Sequence, residues 1–208
     1  MRTTFFIAGL LMLFTVWGLL PILVPPTFYA HMIMHMGVVA VAAPLLAIGM
    51  AGGGSDPVIK FPHLFAPIPI SLVELVVVWA WHTPGLHHLA RHTIIGTLAE
   101  QSMFLICGLL LWLSAFGGGS HLESNRAAAG VIGLLLTMMH MVLLGALLAL
   151  TPRPLYAHDH SHVGLTPLDD QHLGGAIMLV GGGVSYLLGG LWLSMRVLRG
   201  NPMLPRGT

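Results

Sequence analysis

Apolar residues gather along this chain in six long stretches separated by short polar or Gly/Pro-rich joins. A bilayer-crossing helix needs about 20 mostly apolar residues. That rule predicts helices at roughly Thr4–Leu23, Tyr29–Met50, Pro67–Trp81, Ile94–Phe116, Ala127–Leu150 and Gly174–Leu198. The third is short. Pro25-Pro26, Gly52-Gly53-Gly54, Thr83-Pro84-Gly85, Gly117-Gly118-Gly119 and Thr151-Pro152 mark the joins. The first stretch reads as a helix rather than a signal peptide. Arg2 is its only basic flank, no small-x-small cleavage site follows, and Pro25-Pro26 leads straight into the next helix. The expected architecture is all-α: a polytopic transmembrane helical bundle of about six spans, forming one domain over residues 1–208.

Composition sharpens this picture. Of 208 residues, 56% are hydrophobic and only 7% charged, where a soluble domain carries about 25% charged residues. The chain is therefore expected in a membrane, as a multi-pass protein of the cell (inner) membrane with the lipid bilayer as its first partner. A net charge of +1 with no basic run excludes a nucleic-acid partner. The single cysteine, Cys107, excludes an internal disulfide and any cysteine-based zinc site. The anomaly is 13 His and 13 Met against 8 Lys plus Arg, because ionisable groups are costly in lipid and functional when present.

Basic residues set the expected orientation. With six spans, one side holds Arg2, Lys60, Arg126, Arg196, Arg199 and Arg206, and the other only Arg91 and Arg153. Both termini are expected in the cytoplasm. On this map His31 and His35 open the second helix at its outer end. His82, His87, His88 and His92 fill the outer loop after the third, and His158, His160, His162 and His172 the outer loop before the sixth. His140 sits in the outward half of the fifth helix, and only His63 and His121 lie on the cytoplasmic side.

His31 and His35 are four apart, so on a helix they share one face and can approach one ion. Met34 leans to the same side, whereas Met32 and Met36 point away. Thioether with imidazole suits copper, Cu(I) in particular. The run from Met138 to Met141 repeats the pairing around His140, although methionine in a membrane helix is usually packing. His82 lies at the rim, with Pro84 fixing the chain after it, and Trp79 and Trp81 fit an interfacial aromatic belt. His87, His88 and His92 read as solvated loop residues. His158, His160 and His162 alternate with Asp159 and Ser161, a composition typical of metal-binding tracts and suited to loading an ion.

Two carboxylates fall inside spans: Glu74 near the middle of the third helix and Glu100 in the outer part of the fourth. Each should face the bundle interior, with His140 a partner for either. Asp169 or Asp170 is placed to cap the sixth helix. There is no Ser-His-Asp pattern, no nucleotide loop and no catalytic carboxylate pair, so no enzyme activity is expected.

In order and spacing, "HMIMHMGVVAVAAPLLAIGM" (His31–Met50), "WAWHTPGLHHLA" (Trp79–Ala90), "LAEQSMFLICGLLLW" (Leu98–Trp112) and "PLYAHDHSHVGLTPLDDQHLGGAIM" (Pro154–Met178) resemble the membrane-spanning CtaG family of cytochrome c oxidase assembly factors. The resemblance implies a helical membrane protein that matures a haem–copper oxidase, handling copper at the outer face with oxidase subunits as partners. By position, the family's recurrent residues fall on His31, His35, His82, Asp170 and Gln171. Glu100-Gln101 stands where the family pattern leads one to expect Glu-His.

Three functions compete. The favoured one is a copper-handling assembly factor using His31, His35 and His82. A membrane b-type cytochrome would instead bind haem b between two histidines on different helices, with His35 and His140 the obvious pair. A copper transporter resembling the CopD family would need polar stepping stones across the whole thickness, and the inner half offers few beyond Glu74.

Overall fold

A computed structural model describes residues 1–54, 56–118, 124–156 and 164–200. Every regular element among them is helical. Five helices are long and apolar enough to cross a membrane: α1 (Arg2–Leu23), α2 (Phe28–Met50), α5 (Ile94–Phe116), α6 (Ser124–Leu150) and α7 (Pro167–Gly200). α3 (Pro67–Trp81) and α4 (Pro84–His92) meet at 72° across a short break and together are also long and apolar enough to cross, which gives five to six candidate spans among the described residues. The segment after the third helix, expected as a loop, is therefore α4. Its cause is Pro84, which takes the first helical position of α4 and holds Thr83 extended at φ −69°, ψ 142°.

The sixth span also begins earlier than its apolar run suggests. Pro167 takes its first turn, and Thr166 and Asp169 close a reciprocal cap. The Asp169 amide donates to Thr166 Oγ1 at 3.1 Å, and that hydroxyl donates to the Asp169 carboxylate at 2.6 Å. Asp170, expected as a second capping candidate for this helix, caps another one. Its two oxygens accept from the amides of Phe28 and Tyr29, both at 2.8 Å, at the start of α2. Gln171 beside it accepts from the Leu155 amide at 2.6 Å and donates to the Leu148 carbonyl at 3.3 Å. The half-buried His172 reaches the Thr151 carbonyl at 2.9 Å. The start of α7 thus ties α2 and the end of α6 together.

In lipid every backbone group needs an internal partner, which makes one irregularity informative. Residues Gly37–Ala42 of α2 are wound as a π-helix, and the Ala43 amide donates back to Val38, five residues away. In that register the Val39 carbonyl faces Pro44, which has no N–H. The indole of Trp112 on α5 supplies the missing donor at 2.9 Å, and Ser185 on α7 donates to the adjacent Ala40 carbonyl at 2.6 Å. Trp112 stacks on Tyr186, with ring centroids 5.2 Å apart and planes 10° from parallel. Tyr186 in turn donates to Glu74 at 3.3 Å, and Thr137 donates to the other Glu74 oxygen at 3.1 Å. One buried polar chain therefore links α2, α5, α7, α3 and α6. Burying apolar surface cannot drive helices together in lipid, so close packing and such bonds hold the bundle. Where α6 and α7 meet, a Cβ on Gly145 would stand 2.9 Å from the Gly175 carbonyl, an approach only glycine permits.

Outward faces are greasy, as lipid requires: Leu11 and Phe14 on α1, Leu72, Val73 and Val76 on α3, Leu143 and Leu147 on α6, and Val180, Leu188 and Leu191 on α7 are exposed. The joins separate into two ends. Asp56 accepts from the amides of Gly52, Val58 and Gly118, and Arg126 donates to the carbonyls of Pro62 and Phe65. At the opposite end Tyr156, α4 and the start of α2 come together.

Candidate metal centre

The first turns of α2 place His31 and His35 one above the other on its inward face, both buried. Thr27 caps the helix by accepting from the Ala30 amide at 3.3 Å, and Asp170 holds its first two amides. Met32 and Met36 turn away from the pair and pack on α7 beside Gly174 and Gly181. Met34 is half-buried and lines a cavity of about 220 Å³ shared with His31 and Arg91.

His82 arrives from the break between α3 and α4. At the last turn of α3 the Val78 carbonyl accepts from the His82 amide at 3.1 Å, and its second lone pair takes the His82 ring: Nδ1 lies 2.6 Å from the Val78 oxygen. A carbonyl can only accept, so Nδ1 carries the proton and the lone pair is on Nε2. Nε2 is buried and makes no hydrogen bond. The backbone of His82 is held too, because the Tyr156 phenol donates to its carbonyl at 2.6 Å. Burial pushes the Tyr156 phenol well above its usual range, so it stays a donor. Fixing one imidazole nitrogen on a backbone oxygen is how proteins present the other nitrogen to a metal.

These rings meet. The His35 and His82 centroids are 5.2 Å apart, His31 and His82 6.1 Å, and His31 and His87 5.0 Å. His87 stands out as the residue that sequence reasoning missed. Read as solvated loop, it lies instead on the inward face of α4 with Ala90 and Arg91, at helical spacings of three and four. Thr83-Pro84 gave the signal, being a cap followed by a proline at a helix start. His88 and His92 point outward, exposed, in a T-shaped pair 3.8 Å apart.

Glu100 reaches the same place from α5. Thr93 caps that helix by accepting from the Gly96 amide at 3.0 Å, so α5 starts directly after α4. Glu100 is completely buried and bonds the Arg91 guanidinium. Gln101, in the position where a histidine was expected, donates to Glu100 at 3.1 Å and accepts from the Trp17 indole at 2.9 Å. The remaining Glu100 oxygen, Oε1, lies 3.6 Å from His31 Nε2. Ligand atoms of His31, His87 and Glu100 all fall within 4.8 Å of one another.

The expected pairing of His140 with a carboxylate is not formed. Glu74 is taken by Thr137, one turn before His140 on α6, and by Tyr186, while Glu100 is taken by Arg91 and Gln101. His140 is buried, within electrostatic reach of His35, and neither ring nitrogen is hydrogen-bonded. Its neighbours divide: Met141 packs against Gly182, and Met139 is exposed. Trp81 is not in an aromatic belt but buried, donating to Met103 Sδ at 3.3 Å. Asp170 and Gln171 shape the site from behind without reaching the imidazoles. The tract of His158, His160 and His162 lies outside the described residues.

Among the described residues, then, five imidazoles are buried at one end, none more than 5% exposed: His31, His35, His82, His87 and His140. A buried polar group without a partner costs several kcal/mol, roughly 2–7. Both ring nitrogens of His31, His35 and His140, and Nε2 of His82, make no hydrogen bond. Such a set fits a borderline or soft cation that takes imidazole nitrogen.

Residues 1–200 of the chain match the family model described as cytochrome c oxidase caa3 assembly factor (Caa3_CtaG). No curated protein and no solved structure matches it.

Proposed function

The chain belongs to the cytochrome c oxidase caa3 assembly factor family, and from that premise we propose that it takes up copper at the buried histidine cluster and passes it to a haem–copper oxidase subunit. The carrying observation is that His31 and His35 from α2 and His82 from the α3–α4 break turn their rings together in the interior with nitrogens left unbonded. Copper here is cargo. His35 and His82 offer an all-nitrogen pair suited to Cu(I), and His31 with Met34 forms the approach from the 220 Å³ cavity. Rigid presentation of His82 by Val78 and Tyr156 favours capture, and a site near one end of the bundle favours release.

In this reading the histidine end faces outward and the end carrying Lys60 and Arg126 faces the cytoplasm, following the bias of basic residues. The tract from His158 to His162 then serves to load the site.

The test is metal analysis of the purified full chain in detergent. Wild type should hold copper stoichiometrically when supplied with Cu(I), and His31→Ala/His35→Ala should lose it together with oxidase maturation. A double variant that kept its full copper content and still matured the oxidase would overturn the assignment.

A further inference from the structure

We infer that His31, His87 and Glu100 form a second, outer cation site of two nitrogens and one carboxylate oxygen, in which an incoming divalent ion displaces the Arg91 guanidinium from Glu100. The inference rests on reading the cluster as copper-receiving and divides that cluster into two tiers.

Geometry separates the tiers. His87 neighbours His31 at 5.0 Å, and His82 neighbours His35 at 5.2 Å, while Glu100 faces His31. Ligand atoms of the outer three lie within 4.8 Å of one another. Small side-chain rotations bring these to the roughly 3–4 Å edges of a tetrahedron with bonds near 2.1 Å. Two of the three groups point to a missing partner. Neither nitrogen of His31 is hydrogen-bonded, and Glu100 Oε1 accepts no hydrogen bond although Glu100 is wholly buried. Oxygen beside nitrogen is a harder donor set than the imidazoles below it, so the outer tier suits Cu(II) or Zn(II) and the inner tier Cu(I).

Arg91 already supplies a positive charge to Glu100. A divalent ion bonded to the same carboxylate would repel that guanidinium, and the low-polarity surroundings would strengthen the repulsion. Arg91 has somewhere to go. Its side chain is 22% exposed. It lines both the 220 Å³ cavity beside Met34 and Thr97 and a second cavity of about 210 Å³ beside His88 and Tyr156. The guanidinium thus keeps the buried carboxylate neutralised until a stronger cation arrives.

The experiment measures two ions separately on the full chain in detergent. Cu(II) binding is followed by calorimetry and electron paramagnetic resonance, and Cu(I) binding by anaerobic competition with a chromogenic chelator. His87→Ala and Glu100→Gln should each weaken Cu(II) at least tenfold and leave Cu(I) affinity within about twofold. Arg91→Gln should tighten Cu(II) several-fold. His35→Ala/His82→Ala should abolish Cu(I) binding and spare Cu(II). Unchanged Cu(II) affinity in His87→Ala, a substitution on the short outer helix that leaves the span cores intact, would overturn the site. Weaker or equal Cu(II) binding in Arg91→Gln would overturn the exchange. Failure of the wild type to bind Cu(I), with Cu(II) still lost in His87→Ala, would sink the inner-tier reading and leave the outer site standing.

Discussion

The phenol of Tyr156 donates to the backbone carbonyl of His82 at 2.6 Å, across 74 residues of sequence. That bond fastens the segment after α6 to the break where α3 gives way to α4. It also fixes the residue whose ring is already aligned by the Val78 carbonyl. Tyr156 stacks on Phe28 at 4.5 Å, and its ring lies 4.5 Å from His87. One aromatic side chain thus braces three of the segments that carry imidazoles.

Tyr156→Phe keeps this stacking and removes only the hydroxyl. We expect a loss of about 0.5–1.5 kcal/mol in stability, read as a lower thermal midpoint in detergent, with copper affinity reduced several-fold. Burial raises the folded pKa of this phenol above its ordinary value. Its contribution is therefore complete below the unfolded pKa of about 10 and is lost as the pH rises beyond it. Wild type should lose stability more steeply than Tyr156→Phe above that pH. Parallel pH curves for the two proteins would exclude this role.

Asp170 separates a structural role from a ligand role. Its carboxylate caps α2 through Phe28 and Tyr29 and touches none of the imidazoles. Asp170→Ala should cost about 1–2 kcal/mol, the usual worth of a helix cap. It should leave copper stoichiometry unchanged at a temperature where the variant is folded. Metal analysis of protein that passes a thermal-unfolding check decides the matter; loss of copper from folded protein would make Asp170 a ligand.

The spans were legible because twenty-residue apolar runs have few alternatives in lipid, and the helix bounds agree within a few residues except at the start of α7. That start was hidden by Asp169, Asp170, Gln171 and His172, which read as polar loop yet form two helical turns around a Thr166 cap. His31, His35 and His82 could be singled out from spacing and from Pro84. His87 cannot be singled out from a loop, because its inward face exists only if Pro84 begins a helix. The cap of α2 by Asp170, and the pairing of Glu74 with Tyr186, depend on contacts between residues more than 100 positions apart. Local pattern carries no trace of them.

Trp112 tests the account of the π-helical stretch. Its indole is the donor for the Val39 carbonyl that Pro44 leaves without a helical partner. Trp112→Phe retains an aromatic ring against Tyr186 but leaves the carbonyl unsatisfied in the membrane interior, at a cost of about 1–3 kcal/mol. Unfolding in mixed micelles should show that loss. Placing the same substitution on a Pro44→Ala background should shrink it, since an amide at position 44 can take over the carbonyl. Equal losses in both backgrounds would mean that the bond to Val39 is not what Trp112 supplies.

Sidedness follows from the same division of ends and can be measured without metal. His88 is exposed on the outer face of α4 beside the cluster, and Lys60 is exposed at the Asp56 end. Basic residues favour the cytoplasm, so Lys60 should be inside and His88 outside. The native Cys107 is buried in α5, and replacing it with alanine gives a clean background for labelling. In intact cells a membrane-impermeant maleimide should label His88→Cys and not Lys60→Cys, and permeabilised cells should label both. Copper that reaches an oxidase from outside can use this cluster only if the histidines face that compartment. The reverse labelling pattern would turn the cluster towards the cytoplasm and require delivery from within.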